Sequence, residues 1–172
     1  MLNKIVSFFD VLVRFVLSLS MAAMLLLILV VLFNVVSRYL FSYSNVGLSE
    51  LEWHLFAVIF LLGMSCCLYD DSHVRVDIFY ANISPRKKAL INIIFTILFV
   101  IPLALLISQL SLDYVAEAYQ SNEASADPGG LSHRFIIKAL IPLSFYLLIF
   151  ISFGTLVKNL ISLKSAQERG DK

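Results

Sequence analysis

Few residues in this chain could carry chemistry, and their spacing argues against most of the chemistries they could perform. The two cysteines, Cys66 and Cys67, are adjacent. Neighbouring cysteines rarely bridge each other, and no CxxC or other metal-ligand spacing accompanies them; they read as small packing residues. His54 is the one histidine beside an apolar stretch, and it lies toward that stretch's edge. Bis-histidine haem needs paired histidines deep in facing helices, so His54 reads as a hydrogen-bonded packing residue. No phosphate-binding glycine loop and no serine–histidine–aspartate arrangement is present. The expectation is a protein that is not an enzyme and holds no cofactor. The formal net charge of +1 gives no basis for binding nucleic acid.

The elements that would position these residues are four long apolar stretches, about Phe15–Val36, Trp53–Tyr69, Ala89–Leu112 and Ala139–Val157. Each is close to the ~20 residues a helix needs to cross the hydrocarbon core of a bilayer. With 60% hydrophobic and 15% charged residues, residues 1–172 read as one all-α membrane domain of four transmembrane helices with a tail at 158–172. None of the four stretches has a charged residue in its interior. Pumps, ion-coupled carriers and channels keep ionisable groups at membrane depth because those groups do the work. Their lack here points to a membrane partner or scaffold, with any transport pathway in another subunit. The first apolar run is too long for a signal peptide, and Asn34 and Arg38 follow it where a small-residue cleavage site would stand.

With four spans, ten Lys and Arg residues fall on one side: Lys4, Arg14, Arg75, Arg86, Lys87, Lys88, Lys158, Lys164, Arg169 and Lys172. The other side has three, Arg38, Arg134 and Lys138. The positive-inside rule then places both termini and the second loop in the cytoplasm. The first and third loops, with Glu50, Glu52, Asp113, Glu117, Glu123 and Asp127, form an acidic outer face.

Along the chain, Ile5, Phe8, Phe9, Leu12 and Val13 recur at helical spacing over residues 3–14. Two readings fit: an amphipathic helix lying in the interface, or an extension of the first span. Asn34 and Arg38 are four apart and share a helix face; Arg38 stands at the outer boundary, where it can reach headgroups, a specific lipid or a partner. Ser49 is expected to cap the second helix, with Glu50 and Glu52 in its first turn and Trp53 as an interfacial aromatic. Gly63, Ser65, Cys66 and Cys67 form a small-residue cluster suited to close helix packing. His73–Ile78 alternates charged and apolar residues and reads as a short interfacial segment. Ser84 and Pro85 start the third helix, which is expected to outrun the bilayer, to kink at Pro102, and to present Tyr119 beside Asp113 and Glu117 as a docking surface. Residues 127–130, Asp-Pro-Gly-Gly, form a strong turn signal before the fourth helix.

In order, these features resemble the small membrane subunit, the DctQ type, of tripartite ATP-independent periplasmic (TRAP) transporters. The residues that carry the resemblance are NVVSRYLF at 34–41, ELEW at 50–53, Gly63, HVRVD at 73–77, and Gly129-Gly130-Leu131 with Arg134, Lys138 and Pro142. The resemblance covers essentially the whole chain. It implies a bacterial inner-membrane protein that pairs with a large multi-span subunit carrying substrate and sodium. A periplasmic binding protein would deliver a small organic anion, such as a dicarboxylate, sialic acid, a 2-oxo acid or a sulfonate. It implies no ATP site, with sodium held by the large partner. Asn34, Arg38, Glu52, Trp53, Gly63, His73, Arg75 and Asp77 are then candidates for contact with that partner or with phospholipids. Glu117, Tyr119, Glu123, Arg134 and Lys138 are candidates for periplasmic docking. The competing classes are a haem or quinone redox subunit and a stand-alone small transporter.

Overall fold

The computed structural model describes residues 2–71 and 83–168. These residues form four long helices and no strand: α1 (Leu2–Phe41), α2 (Val46–Tyr69), α3 (Pro85–Gln120) and α4 (Phe135–Glu168). All four are long and apolar enough to cross a membrane. Three are far longer than a bilayer requires. At 1.5 Å per residue the 40 residues of α1 extend ~60 Å, against a hydrocarbon core of ~30 Å.

Residues 3–14 are helical and continue into the first span without a break, so of the two readings the structure has the extension. Packing explains it. Phe9, Val13 and Val16 are buried against Cys66, Tyr69 and Ile151 of α2 and α4, while Phe8 and Val11 face outward. Phe9 lies so close to α4 that a Cβ at Gly154 would stand 2.5 Å from its ring. The glycine is what lets α1 cross there.

The helices alternate in direction. The α1–α2 loop and residues 121–134 therefore share one end, here the loop end. The first turns of α1 and the last turns of α4 share the other, the terminal end. Tyr69 donates to Asp10 (2.8 Å) at the terminal end, and Lys158 stands 3.6 Å from the same carboxylate and 3.5 Å from the Tyr69 ring centre. Packing is not that of a closed four-helix bundle. α4 packs on all three others, α1 packs chiefly on α2, and α3 leans chiefly on α4. The order in space is α1, α2, α4, α3.

The interior is built from small residues. Ser65, Ser108, Ser144, Ser152 and Ile151 are the largest fully buried side chains, while Leu, Phe and Met side chains cover the outside. In lipid there is no hydrophobic drive to hide leucine, and helices associate where small residues let their backbones approach. The hydroxyls of Ser108, Ser111, Ser144, Ser152 and Thr155 all donate to carbonyls three or four residues back in their own helices. They fill the seam by being small and internally satisfied.

Within α3, residues Thr96–Val100 form a π turn, and the Ile101 N–H reaches the Thr96 carbonyl. Pro102 follows at once. It has no N–H and would crowd the carbonyl four residues back, and the wider turn accommodates it without ending the helix. α3 stops at a Schellman motif: Asn122 takes a left-handed φ of 48°, its N–H bonds to the Tyr119 carbonyl, and the Glu123 N–H bonds to that of Ala118.

Candidate functional site

The densest polar construction lies at the loop end, and α2 organises it. The helix begins at Val46, with Asn45 as its cap accepting from the Leu48 N–H at 3.3 Å. This corrects the expectation of a Ser49 cap. Glu50 and Glu52 consequently fall in the second turn, too far in to meet the free N–H groups, and each turns to a different task.

Glu50 is 7% exposed. One carboxylate oxygen accepts from the Ser125 hydroxyl and the other from the Leu131 N–H at 2.6 Å. Both partners belong to the loop between α3 and α4. That loop is closed on itself by Ser125 N–H to the Leu131 carbonyl and Arg134 N–H to the Glu123 carbonyl, each 3.0 Å. Gly130 leaves the room this needs: a Cβ there would lie 2.4 Å from Ser125 and 2.9 Å from the Glu50 carboxylate. Gly129 supplies a φ of +83°. Glu50 thus pins an extramembrane loop to a membrane helix. The sequence placed this residue in an acidic face and missed its role, because its partners lie 75 and 81 residues away.

Glu52 faces α1. The Asn34 amide donates to it at 2.7 Å and to Ser49 at 3.2 Å. Asn34 is 5% exposed, whereas Arg38, one turn on, is exposed. The two residues therefore differ in role: the first fastens α1 to α2, and the second lies on the exposed surface. Trp53 is half exposed, with the Arg134 guanidinium 5.6 Å from its ring centre. His54 packs against the Trp53 ring at 4.2 Å, and its buried Nε2 has no hydrogen-bond partner among the described residues, so the packing is as expected and the hydrogen bond at that nitrogen is not.

The candidates of the third loop split into two groups. Lys138 forms an ion pair with Glu123 and stands 3.8 Å over the Tyr114 ring, so this acid and this base are engaged with each other. Glu117 and Tyr119 project from the last turns of α3, with Tyr119 edge-on to Phe135 at 5.2 Å. Glu117 forms an open polar surface with Asp113, Gln120 and Ser121.

Of the small-residue cluster in α2, Ser65 and Cys66 are buried against neighbouring helices, and both cysteines are free thiols. Gly63 differs from expectation: a Cβ added to it would meet nothing within 4 Å, so it makes no close helix contact within this chain. Ser84 precedes α3 as expected, but its hydroxyl makes no capping bond. His73, Arg75 and Asp77 lie outside the described residues. Among the described residues, no three His, Cys, Asp or Glu side chains converge as a metal site would require.

A cleft of about 480 Å³ opens between α2 and α3 with α4 as its floor; Trp53, Phe56 and Phe60 line one wall, and Arg134 and Lys138 stand at its mouth. The geometry of this end is that of a braced platform, which holds a loop, an acidic helix tip and a cleft with two cations at its mouth in fixed relation.

Comparison with known proteins gives one family. The model described as "Tripartite ATP-independent periplasmic transporters, DctQ component" matches residues 27–161. No curated protein matches the chain. The matched segment starts within α1 and ends within α4, and so takes in the whole of the loop end.

Proposed function

Because the chain belongs to the DctQ family, as the small membrane subunit of a TRAP transporter and a multi-pass protein of the inner membrane, we propose that it is the fixed scaffold on which the large transport subunit works. The observation that carries this reading concerns charge. Among the described residues the one buried charged side chain is Glu50, and its oxygens are committed to a loop. Nothing described in the spans could bind and release a coupling ion or an anion at membrane depth. In this reading the sodium sites and the substrate path belong to the large subunit, and the transported solute is a small organic anion.

The loop end faces the periplasm and both termini face the cytoplasm, in keeping with the ten-to-three distribution of basic residues. The periplasmic binding protein then docks over the tip of α3, where Glu117 and Tyr119 stand clear. Glu123, Arg134 and Lys138 hold the loop in shape beneath it. Arg38 and Gly63 face outward toward the partner subunit or lipid, while Asn34, Glu52 and Trp53 support that face from behind. His73, Arg75 and Asp77 would serve the cytoplasmic side.

The test is reconstitution. Proteoliposomes containing the large subunit and binding protein, with an inward sodium gradient, should take up substrate only when this chain is present. Uptake at the full rate without it, with the large subunit inserted in equal amount, would remove the scaffold role.

A further inference from the structure

The cleft between α2 and α3 has a chemistry that the scaffold reading does not use. Its walls are Phe56, Ala57 and Phe60 on one side and Ile137 and Ile141 on the floor. Phe56 and Phe60 are 61% and 62% exposed, so the walls open sideways, toward where lipid would stand. Polar groups occur only at the mouth. There Glu123 neutralises Lys138. Arg134 rests on Trp53 and has no ion-pair partner among the described residues. Glu50 lies near Arg134, but its oxygens are bonded to Ser125 and Leu131 and it does not line the cleft. Glu50 thus offsets part of the Arg134 charge through space without binding it, and the mouth keeps a guanidinium with no direct ion pair above an apolar slot. From Arg134 to Ile141 the slot runs ~11 Å along the helix axis.

We propose that this cleft is a phospholipid site of the leaflet at the loop end, with the lipid phosphate on Arg134 and an acyl chain lying along Phe56, Ala57 and Phe60. Complementarity selects the occupant. A guanidinium is a fork-shaped donor matched to phosphate oxygens, and Trp53 beside it is an aromatic of the interfacial belt where headgroups lie. A soluble anion would leave the apolar slot unfilled, and an apolar side chain from a partner would leave the cation unpaired. The proposal rests on the chain's membrane location and not on its scaffold role.

The experiment uses the full chain, alone and in complex with its large membrane partner, purified in mild detergent with added phosphatidylglycerol or phosphatidylethanolamine. Native mass spectrometry should show one retained phospholipid per chain in both states. Retention of both lipids identifies the phosphate as the recognised group; retention of phosphatidylglycerol alone identifies the net headgroup charge, and either supports the site. Arg134→Gln, which keeps the backbone bond to Glu123, should reduce retention roughly tenfold. Ala57→Phe should fill the slot and abolish retention, with a thermal melt confirming the fold. Lys158→Gln, a cation lost at the opposite end, should change nothing. A phospholipid with a photoreactive acyl chain should label peptides containing Phe60 or Ile141. Equal retention in all variants, labelling elsewhere, or loss of the lipid once the large subunit is bound would each overturn the proposal, the last by showing that protein fills the cleft.

Discussion

At the scale of single residues, the polar groups of this protein are braces. The pair Asn34–Glu52 shows why. Its 2.7 Å bond joins α1 to α2 at the loop end, as the Tyr69–Asp10 bond does at the terminal end, and Asn34 is shut away from solvent. Glu52→Ala should cost about 1–3 kcal/mol, because it leaves the buried Asn34 amide with only its longer bond to Ser49, while the double change Asn34→Leu, Glu52→Ala should recover much of that loss. Thermal unfolding of the unchanged protein, the two single variants and the double variant in detergent measures the cycle; additive losses would show that the two side chains act separately. The sequence made both residues visible as polar positions at a span boundary, and it read them as groups meeting a partner. It could not show that they meet each other. That requires knowing the rotation of α1 against α2, which is set by packing over the full length of both helices. The same holds for Glu50, whose partners lie 75 and 81 residues away.

At the scale of elements, the four spans were legible because the apolar runs are long and carry no interior charge, and a bilayer permits helices alone at such depth. Boundaries were less legible. The second helix starts three residues before Ser49, because Asn45 has the free backbone and the side chain to cap it. No Gly or Pro lies between Leu2 and Phe41, and that lack of a breaker was the sign that residues 3–14 continue the first helix. The π turn before Pro102 had only the proline as its signal. Helix contacts follow from residue size, which makes them testable. Gly154→Ala should destabilise the protein by about 1–3 kcal/mol, since its Cβ would press into the Phe9 ring. Ser144→Ala keeps the size and loses a bond made within its own helix, so it should cost less than about 1 kcal/mol. Chemical unfolding with both variants compares them directly; equal effects would mean that the α1–α4 crossing is looser than its geometry.

At the scale of the whole molecule, the surface is apolar along its length and acidic at the tip of α3. If the binding protein docks at that tip, Glu117→Lys should weaken its association by up to about tenfold at low ionic strength. The effect should fade as salt screens it. Surface plasmon resonance across a salt series checks this, and affinity independent of both charge and salt would place docking elsewhere. Glu123→Lys is a poor substitute, because it breaks the Lys138 pair and disturbs the loop itself.

The order of the helices in space has a consequence for biogenesis. α4 follows the other three described helices in the chain, yet it sits between α2 and α3 and packs on all of them. The first hairpin can assemble as soon as it is inserted, but α3 waits without a firm neighbour until the final helix arrives and wedges the array together. A nascent chain stalled before residue 135 would therefore expose the serine-lined seam of α3 to the bilayer, where membrane proteases could seize it. Arrival of α4 is thus the step that closes the packing of the other three helices.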